Sequence, residues 1–181
     1  MKKTKLHLIL FLLGLCGMHP LCANPSSPEV LSGEIDVVFN ETVVNVLQTS
    51  KSAIIEWDSF AIAEGERTEF FQPSVDSVVL NRVIGPYESN LYGSLVGNGQ
   101  IYLINENGIC IGPGGEVRTG GFVASTLDIS NEVFLEGGNF AFSSSSLKKI
   151  ENQGVIQTVG GDIFLFAKEV DNQGVLQADG G

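Results

Sequence analysis

The feature that most constrains this chain is a repeat. Glu151-Asn152-Gln153-Gly154-Val155-Ile156-Gln157 recurs as Asp171-Asn172-Gln173-Gly174-Val175-Leu176-Gln177, an offset of 20 residues. Each copy runs on to a diglycine, Gly160-Gly161 and then Gly180-Gly181, with Asp162-Ile163-Phe164-Leu165-Phe166-Ala167 between them. An earlier stretch, Gly99-Gln100-Ile101-Tyr102-Leu103-Ile104, follows the pattern of Gly161-Asp162-Ile163-Phe164-Leu165-Phe166. Several short strands in a unit of about 20 residues are what one coil of a parallel β-helix requires, with side chains of successive coils stacked in register inside. The repeated Asn-Gln-Gly then falls at corners, where Gly tolerates positive φ and Asn can bond its own backbone or the coil above. Ordinary hairpins are the alternative, and Asn98-Gly99 and Asn107-Gly108 would suit them.

The rest of the chain is of the same kind. Ile35-Asp36-Val37-Val38-Phe39, Thr42-Val43-Val44-Asn45-Val46, Ala53-Ile54-Ile55-Glu56-Trp57, Ser77-Val78-Val79-Leu80 and Gln100-Ile101-Tyr102-Leu103-Ile104 are short, β-branched or aromatic, and bounded by turn formers. No window of about twelve residues keeps a helical period. The chain therefore predicts an all-β fold, a single-stranded parallel β-helix. At about 20 residues per coil the residues after position 23 make at most about eight coils, a stack of roughly 35–40 Å. Such a stack has open edges at both ends, and the Pro-containing stretch Asn24 to Asn40 is placed to cover the first coil. The other end has no such device, so the chain reads as the head of a longer solenoid or a truncated relative of one.

The N-terminus bounds the compartment. Met1-Lys2-Lys3-Thr4-Lys5 is basic, Leu8 to Gly17 is apolar, and the small Ala23 follows Pro20. That is the pattern of a secretory signal peptide over 1–23, cleaved after Ala23, and the run is too short for a bilayer, which takes roughly 20 apolar residues. The residues before Cys16 and Cys22 do not suit lipid attachment. Cleavage removes Lys2, Lys3 and Lys5 of the 10 basic residues and leaves 7 against 21 acidic, a net charge of −14. Nucleic acid and anionic membranes, which need clustered Lys and Arg, are poor partners for it. His7 and His19 leave as well, so His-dependent triads and the commonest transition-metal ligand are excluded from the mature chain. Cys110 then stands alone, and with no activating base nearby it reads as a structural thiol.

A longer run of motifs carries a resemblance. Trp57-Asp58-Ser59-Phe60-Ala61-Ile62 is followed by Glu64-Gly65-Glu66, Phe70-Phe71-Gln72-Pro73-Ser74 and Val79-Leu80-Asn81-Arg82-Val83-Ile84-Gly85. Gly93-Ser94-Leu95, Asn98 to Asn105, Glu106-Asn107-Gly108-Ile109, Gly112-Pro113-Gly114 and Gly120 to Ile129 complete it. In this order the run resembles the N-terminal secretion domain, the haemagglutination activity domain, of filamentous-haemagglutinin-type exoproteins, the secreted partners of two-partner secretion in Gram-negative bacteria. The resemblance covers about Val30 to Gly181. It implies a right-handed parallel β-helix with an N-terminal cap over 24–181, open at its C-terminal end. It also implies a role as the address read by a partner outer-membrane β-barrel transporter with periplasmic POTRA domains. Localisation is then secreted or at the cell surface by way of the periplasm, with host contact made through downstream regions, as in the adhesins of this family.

In the resemblance the transporter-recognition or turn motif is Asn105, Glu106, Asn107, Gly108 and Ile109. The family's Asn-Pro-Asn-Gly-Ile stands here with Glu106 in place of proline, whose fixed φ would stiffen the turn. Asn107-Gly108 would then hold the turn alone. Asn105 and Asn107 either present their amides or set a turn that presents neighbouring backbone, and as plain turn residues they would be structural only. While unfolded, the strands could add to a sheet edge of the transporter. Because the outer membrane lacks ATP, coil-by-coil folding of the emerging chain would supply the ratchet. Trp57 is expected in the core or cap and Ser143-Ser144-Ser145-Ser146 in a loop. Gly112-Pro113-Gly114-Gly115 lacks the Lys-Ser/Thr of a phosphate cradle. No cofactor, metal or catalytic residue is expected. A carbohydrate-active β-helix enzyme would need paired carboxylates in a groove, and no pairing is readable. Direct adhesion to host glycans or proteins is the other alternative.

Overall fold

Short β-branched runs punctuated by Gly and Asn cannot each bury an apolar face alone, and here they do so by winding. The computed structural model describes residues 24–138 and 140–179. The signal segment, its cleavage point at Ala23 and the second diglycine lie outside the described residues. Four strands open the fold: β1 (Ser26–Ser32), β2 (Ile35–Phe39), β3 (Val43–Gln48) and β4 (Ser52–Ser59). β1 runs antiparallel to β4, and β2 antiparallel to β3. The Asn24-to-Asn40 stretch thus covers the first coil, as its composition suggests.

From β4 onward the chain repeats a three-sided circuit. The strands that follow are β5 (Arg67–Phe71), β6 (Val78–Val83), β7 (Ser89–Leu91), β8 (Ser94–Gly97), β9 (Gln100–Ile104), β10 (Ile109–Ile111), β11 (Glu116–Thr119) and β12 (Gly121–Ser125). After a short helix, α1 (Asn131–Glu136), come β13 (Lys149–Asn152), β14 (Val155–Val159), β15 (Ile163–Phe166), β16 (Glu169–Asn172) and β17 (Val175–Asp179). They stack into three sheets. Sheet A is β1-β4-β6-β9-β12-β15, sheet B is β17-β14-β11-β8-β5-β3-β2, and sheet C is β16-β13-β10-β7. Beyond the opening clasp, every pairing between these strands is parallel. The fold is a parallel β-helix. Asn98-Gly99 and Asn107-Gly108 join strands of different sheets and are corners, not hairpins.

The 20-residue period describes the last coils and not the first. Ile150 lies beside Val170, 20 residues on, whereas Ile55 lies beside Asn81, 26 residues on. The surplus goes into the wider corners at 60–66 and 72–77. Alternate residues of each strand point inward, which stacks Val44, Thr68, Leu95, Val117 and Ile156 on sheet B, and Ala53, Val79, Ile101 and Phe122 on sheet A. Trp57 is fully buried among them, edge-on to Phe60 at 5.6 Å, and its Nε1 donates to Asn81 Oδ1 (3.0 Å).

Two corner devices explain the glycines. Where sheet C turns into sheet B, Gly93, Gly115, Gly154 and Gly174 follow one another along the stack. A Cβ on Gly154 would lie 2.2 Å from Gly115 O, and one on Gly174 2.2 Å from Gly154 O. The coils approach too closely there for any side chain. The Asn-Gln-Gly repeat adds a ladder: Asn152 Nδ2 donates to Asn172 Oδ1 (2.7 Å), while Gly154 N donates to Asn152 Oδ1 (3.2 Å).

The middle strands of sheet A are buried on both sides. Between β12 and β13, residues 126–148 leave the stack and lie over its outer face. Ile129, Phe134, Phe140 and Phe142 pack on the outward side chains of Ile54, Leu80, Tyr102, Ile104, Val123 and Phe166. Phe134 meets Tyr102 edge-on at 5.5 Å, and Phe142 stacks on Phe166 at 4.9 Å. Strands covered on both faces need unbroken apolar runs, which is why Ile101 to Ile104 does not alternate. α1 is capped by Ser130, whose Oγ accepts from Val133 N. Six residues are too few to leave a periodic trace in the sequence.

Candidate functional site at the Asn105 corner

The five residues of the predicted motif sit together, at the corner where β9 of sheet A turns into β10 of sheet C. Asn105 is fully buried. Its Nδ2 reaches back to the preceding coil, donating to Tyr87 O (2.9 Å) and Ser89 Oγ (3.0 Å). Its Oδ1 accepts from Asn107 N (2.9 Å), which closes an Asx turn over Glu106. Asn107 Nδ2 donates to Gly85 O (2.9 Å), again one coil back. Gly108 N donates to Asn105 O (3.1 Å), and Gly108 holds φ at 112°, open to glycine and strained for other residues. Ile109 then enters the core.

The turn is therefore not held by Asn107-Gly108 alone. Asn105 supplies through its side chain the restraint that a proline at 106 would supply through its ring. In the folded state both amides bond the coil beneath, so what this corner shows to solvent is chiefly Glu106, with Asn107 half-buried beside it. Glu106 is exposed, and its carboxylate accepts a hydrogen bond from Ser144 Oγ. Ser146 Oγ donates to Glu106 O (2.6 Å). The serine run 143–146 is the returning limb of the segment over sheet A, tied down at this corner.

Sequence reasoning passed over Arg82. It lies on the outer face of sheet A with a side chain only 12% exposed. Its Nε donates to Asp128 Oδ1 (2.9 Å), Nη1 to Asn131 Oδ1 (2.7 Å) and Glu56 Oε1 (3.4 Å), and Nη2 to Ile129 O (2.7 Å). One guanidinium so fastens the departing limb of the same segment. An Arg inside the apolar run Val78-Val79-Leu80-Asn81-Arg82-Val83 was the available signal. Cys110 faces outward from sheet C between Asn90 and Glu151, half-buried. Burial pushes its thiol pKa up, and the carboxylates of Glu151 and Glu88 add to the rise. Among the described residues no three His, Cys, Asp or Glu side chains are grouped to hold a metal ion.

The family model of the TPS secretion domain matches residues 24–180. The chain belongs to the TPS secretion domain family. The crystal structure of the HMW1 secretion domain from Haemophilus influenzae superposes with a TM-score of 0.79 at 35% identity, covering 86% of this chain and 42% of that one. Two curated relatives are both named heme/hemopexin-binding protein of Haemophilus influenzae. One is 36% identical over 115 residues, 64% of this chain and 12% of the relative. The other is 40% identical over 86 residues, 48% of this chain and 9% of the relative. The matched segments are thus a small part of those proteins. TPS secretion domains are parts of exported exoproteins that work with a partner outer-membrane transporter; theirs is not an enzyme family.

Proposed function

We propose that residues 24–181 are the secretion-targeting domain of a filamentous-haemagglutinin-like exoprotein, exposed to the periplasm after a signal peptide is cut at Ala23. There it is recognised by the POTRA domains of its partner transporter and nucleates β-helix folding as the chain leaves the cell. The observation that carries this reading is the polarity of the stack. At the N-terminal end the antiparallel β1 and β2 cover the first coil, whereas at the other end β15, β16 and β17 are, among the described residues, the last strands of their sheets. Val170 and Leu176, whose stack neighbours Ile150 and Ile156 are fully buried, stay 42% and 43% exposed there. A chain that folds from the clasp can add coils in one direction only, each templated by the last. The Asn105 corner sits in the middle of that template, and its part is to fix the turn between the first complete coils.

Export of a reporter fused after Gly181, in cells carrying the partner transporter, tests the reading. Secretion should fall strongly for Asn105→Ala and less for Asn107→Ala. A reporter that leaves the cell equally well with both variants, or without the transporter, refutes it. Host-surface binding, as in the family's adhesins, we assign to regions outside this domain.

A further inference from the structure

Strand β2 ends sheet B, and among the described residues no strand pairs with its outer side. The hydrogen bonds flanking its hairpin fix which groups lie free. Thr49 N donates to Glu34 O (3.0 Å) and Asn40 N to Val43 O (2.8 Å). The bonded pairs in this register are therefore Glu34 with Thr49, Asp36 with Leu47, Val38 with Asn45 and Asn40 with Val43. Antiparallel alternation then turns the N–H and C=O of Ile35, Val37 and Phe39 outward, away from the sheet.

The other strand at this end has a blunted edge. β1 contains Pro28, which has no N–H, and its register breaks between Val30 and Ser32; both devices discourage further pairing. β2 has no proline, no lysine and no bulge. Ile35 and Val37 pack inward against the core, and Val38 and Phe39 are exposed beside the free edge. The surroundings are mainly acidic, with Lys51 the one basic residue just past the hairpin. Between Asn24 and Ser50 there are Glu29, Glu34, Asp36 and Glu41, all exposed, and no Lys or Arg.

We propose that the β2 edge is a strand-docking surface for a partner protein, and that the docking segment is extended, apolar at alternate positions and flanked by Lys or Arg. Main-chain bonds to Ile35, Val37 and Phe39 supply the pairing, and the carboxylates select the flanks. A second copy of this chain is disfavoured, because edge-to-edge pairing would bring the same carboxylates together from both sides. This surface belongs to the folded cap and is separate from the Asn105 corner.

The test titrates the purified chain with two synthetic peptides sharing a Thr-Val-Thr-Val-Thr centre, one flanked by Lys and one by Glu. Binding is read by anisotropy and by amide exchange. The Lys-flanked peptide should bind and protect the amides of Ile35, Val37 and Phe39, with the Glu-flanked one at least about tenfold weaker, a difference of about 1.4 kcal/mol. Val37→Pro removes an N–H that makes no bond within the sheet, and should abolish binding while Trp57 fluorescence stays native. Asp36→Lys with Glu41→Lys, on exposed side chains, should reverse the peptide preference and keeps the test decisive if the proline variant does not fold. Equal binding of both peptides, protection elsewhere than at these amides, or a dimer in sedimentation that Val37→Pro abolishes would each overturn the proposal.

Discussion

Replacing Asn105 by alanine separates a stitch between coils from a surface signal. The side chain makes two bonds to the coil beneath and two to the turn, at 2.9–3.3 Å, and it is fully buried. Tyr87 is exposed, so water can satisfy its carbonyl, but Ser89 Oγ is buried and Asn107 N is half-buried. Two orphaned groups at about 1–1.5 kcal/mol each, with a small cavity added, come to roughly 3 kcal/mol. Asn107→Ala loses bonds that solvent largely replaces, and should cost about 1 kcal/mol. Glu106→Ala, at an exposed position, should stay within about 0.5 kcal/mol apart from loosening the serine limb. Trp57, the single tryptophan, reports unfolding from the core. With a urea slope of about 2 kcal/mol/M, Asn105→Ala should lower the midpoint by roughly 1.5 M and Asn107→Ala by about 0.5 M. If the two variants shift the midpoint equally, or Asn105→Ala hardly shifts it, the corner does not bind the coils together as described.

Three further outcomes follow from the packing. Arg82→Ala should release the segment over sheet A, with faster proteolysis between 127 and 145 and a loss of about 1–2 kcal/mol, since its partners are partly solvated; unchanged cleavage would show that the aromatics alone hold it. Gly154→Ala forces a Cβ to within 2.2 Å of Gly115 O and should cost more than about 2 kcal/mol, whereas Gln153→Ala next to it should be nearly silent in the same urea assay. Cys110 should react slowly with iodoacetamide near pH 7, because its raised pKa leaves little thiolate, and faster as pH rises; Glu151→Gln should speed the reaction at fixed pH, read by mass spectrometry.

The parallel stack was legible because its constraints are local and recur. Every coil needs a corner without a side chain, so Gly154 and Gly174 repeat, and every corner needs its backbone bonded, so Asn152 and Asn172 repeat with them. The motif at 105–109 was readable as a turn for the same reason. The burial of Asn105 was not, since it depends on Ser89 and Tyr87 in the coil below, and nothing near 105 in the sequence reports on them. The segment over sheet A was the larger omission. Arg82 and Asp128 are 46 positions apart, and a contact of that reach leaves no periodic mark. The unbroken apolar run Ile101 to Ile104 was the indirect trace: a strand with one wet face would have alternated.

The segment 126–148 leaves from one corner and returns at the next, while β12 still pairs with β15 and β10 with β13 as though nothing intervened. Its length therefore enters the energetics only through loop closure, which grows slowly with residues added. Relatives are free to lengthen, shorten or exchange this patch, provided that something apolar still roofs Leu80, Tyr102 and Val123. One side of the tower can change its decoration from protein to protein while the masonry beneath keeps its courses.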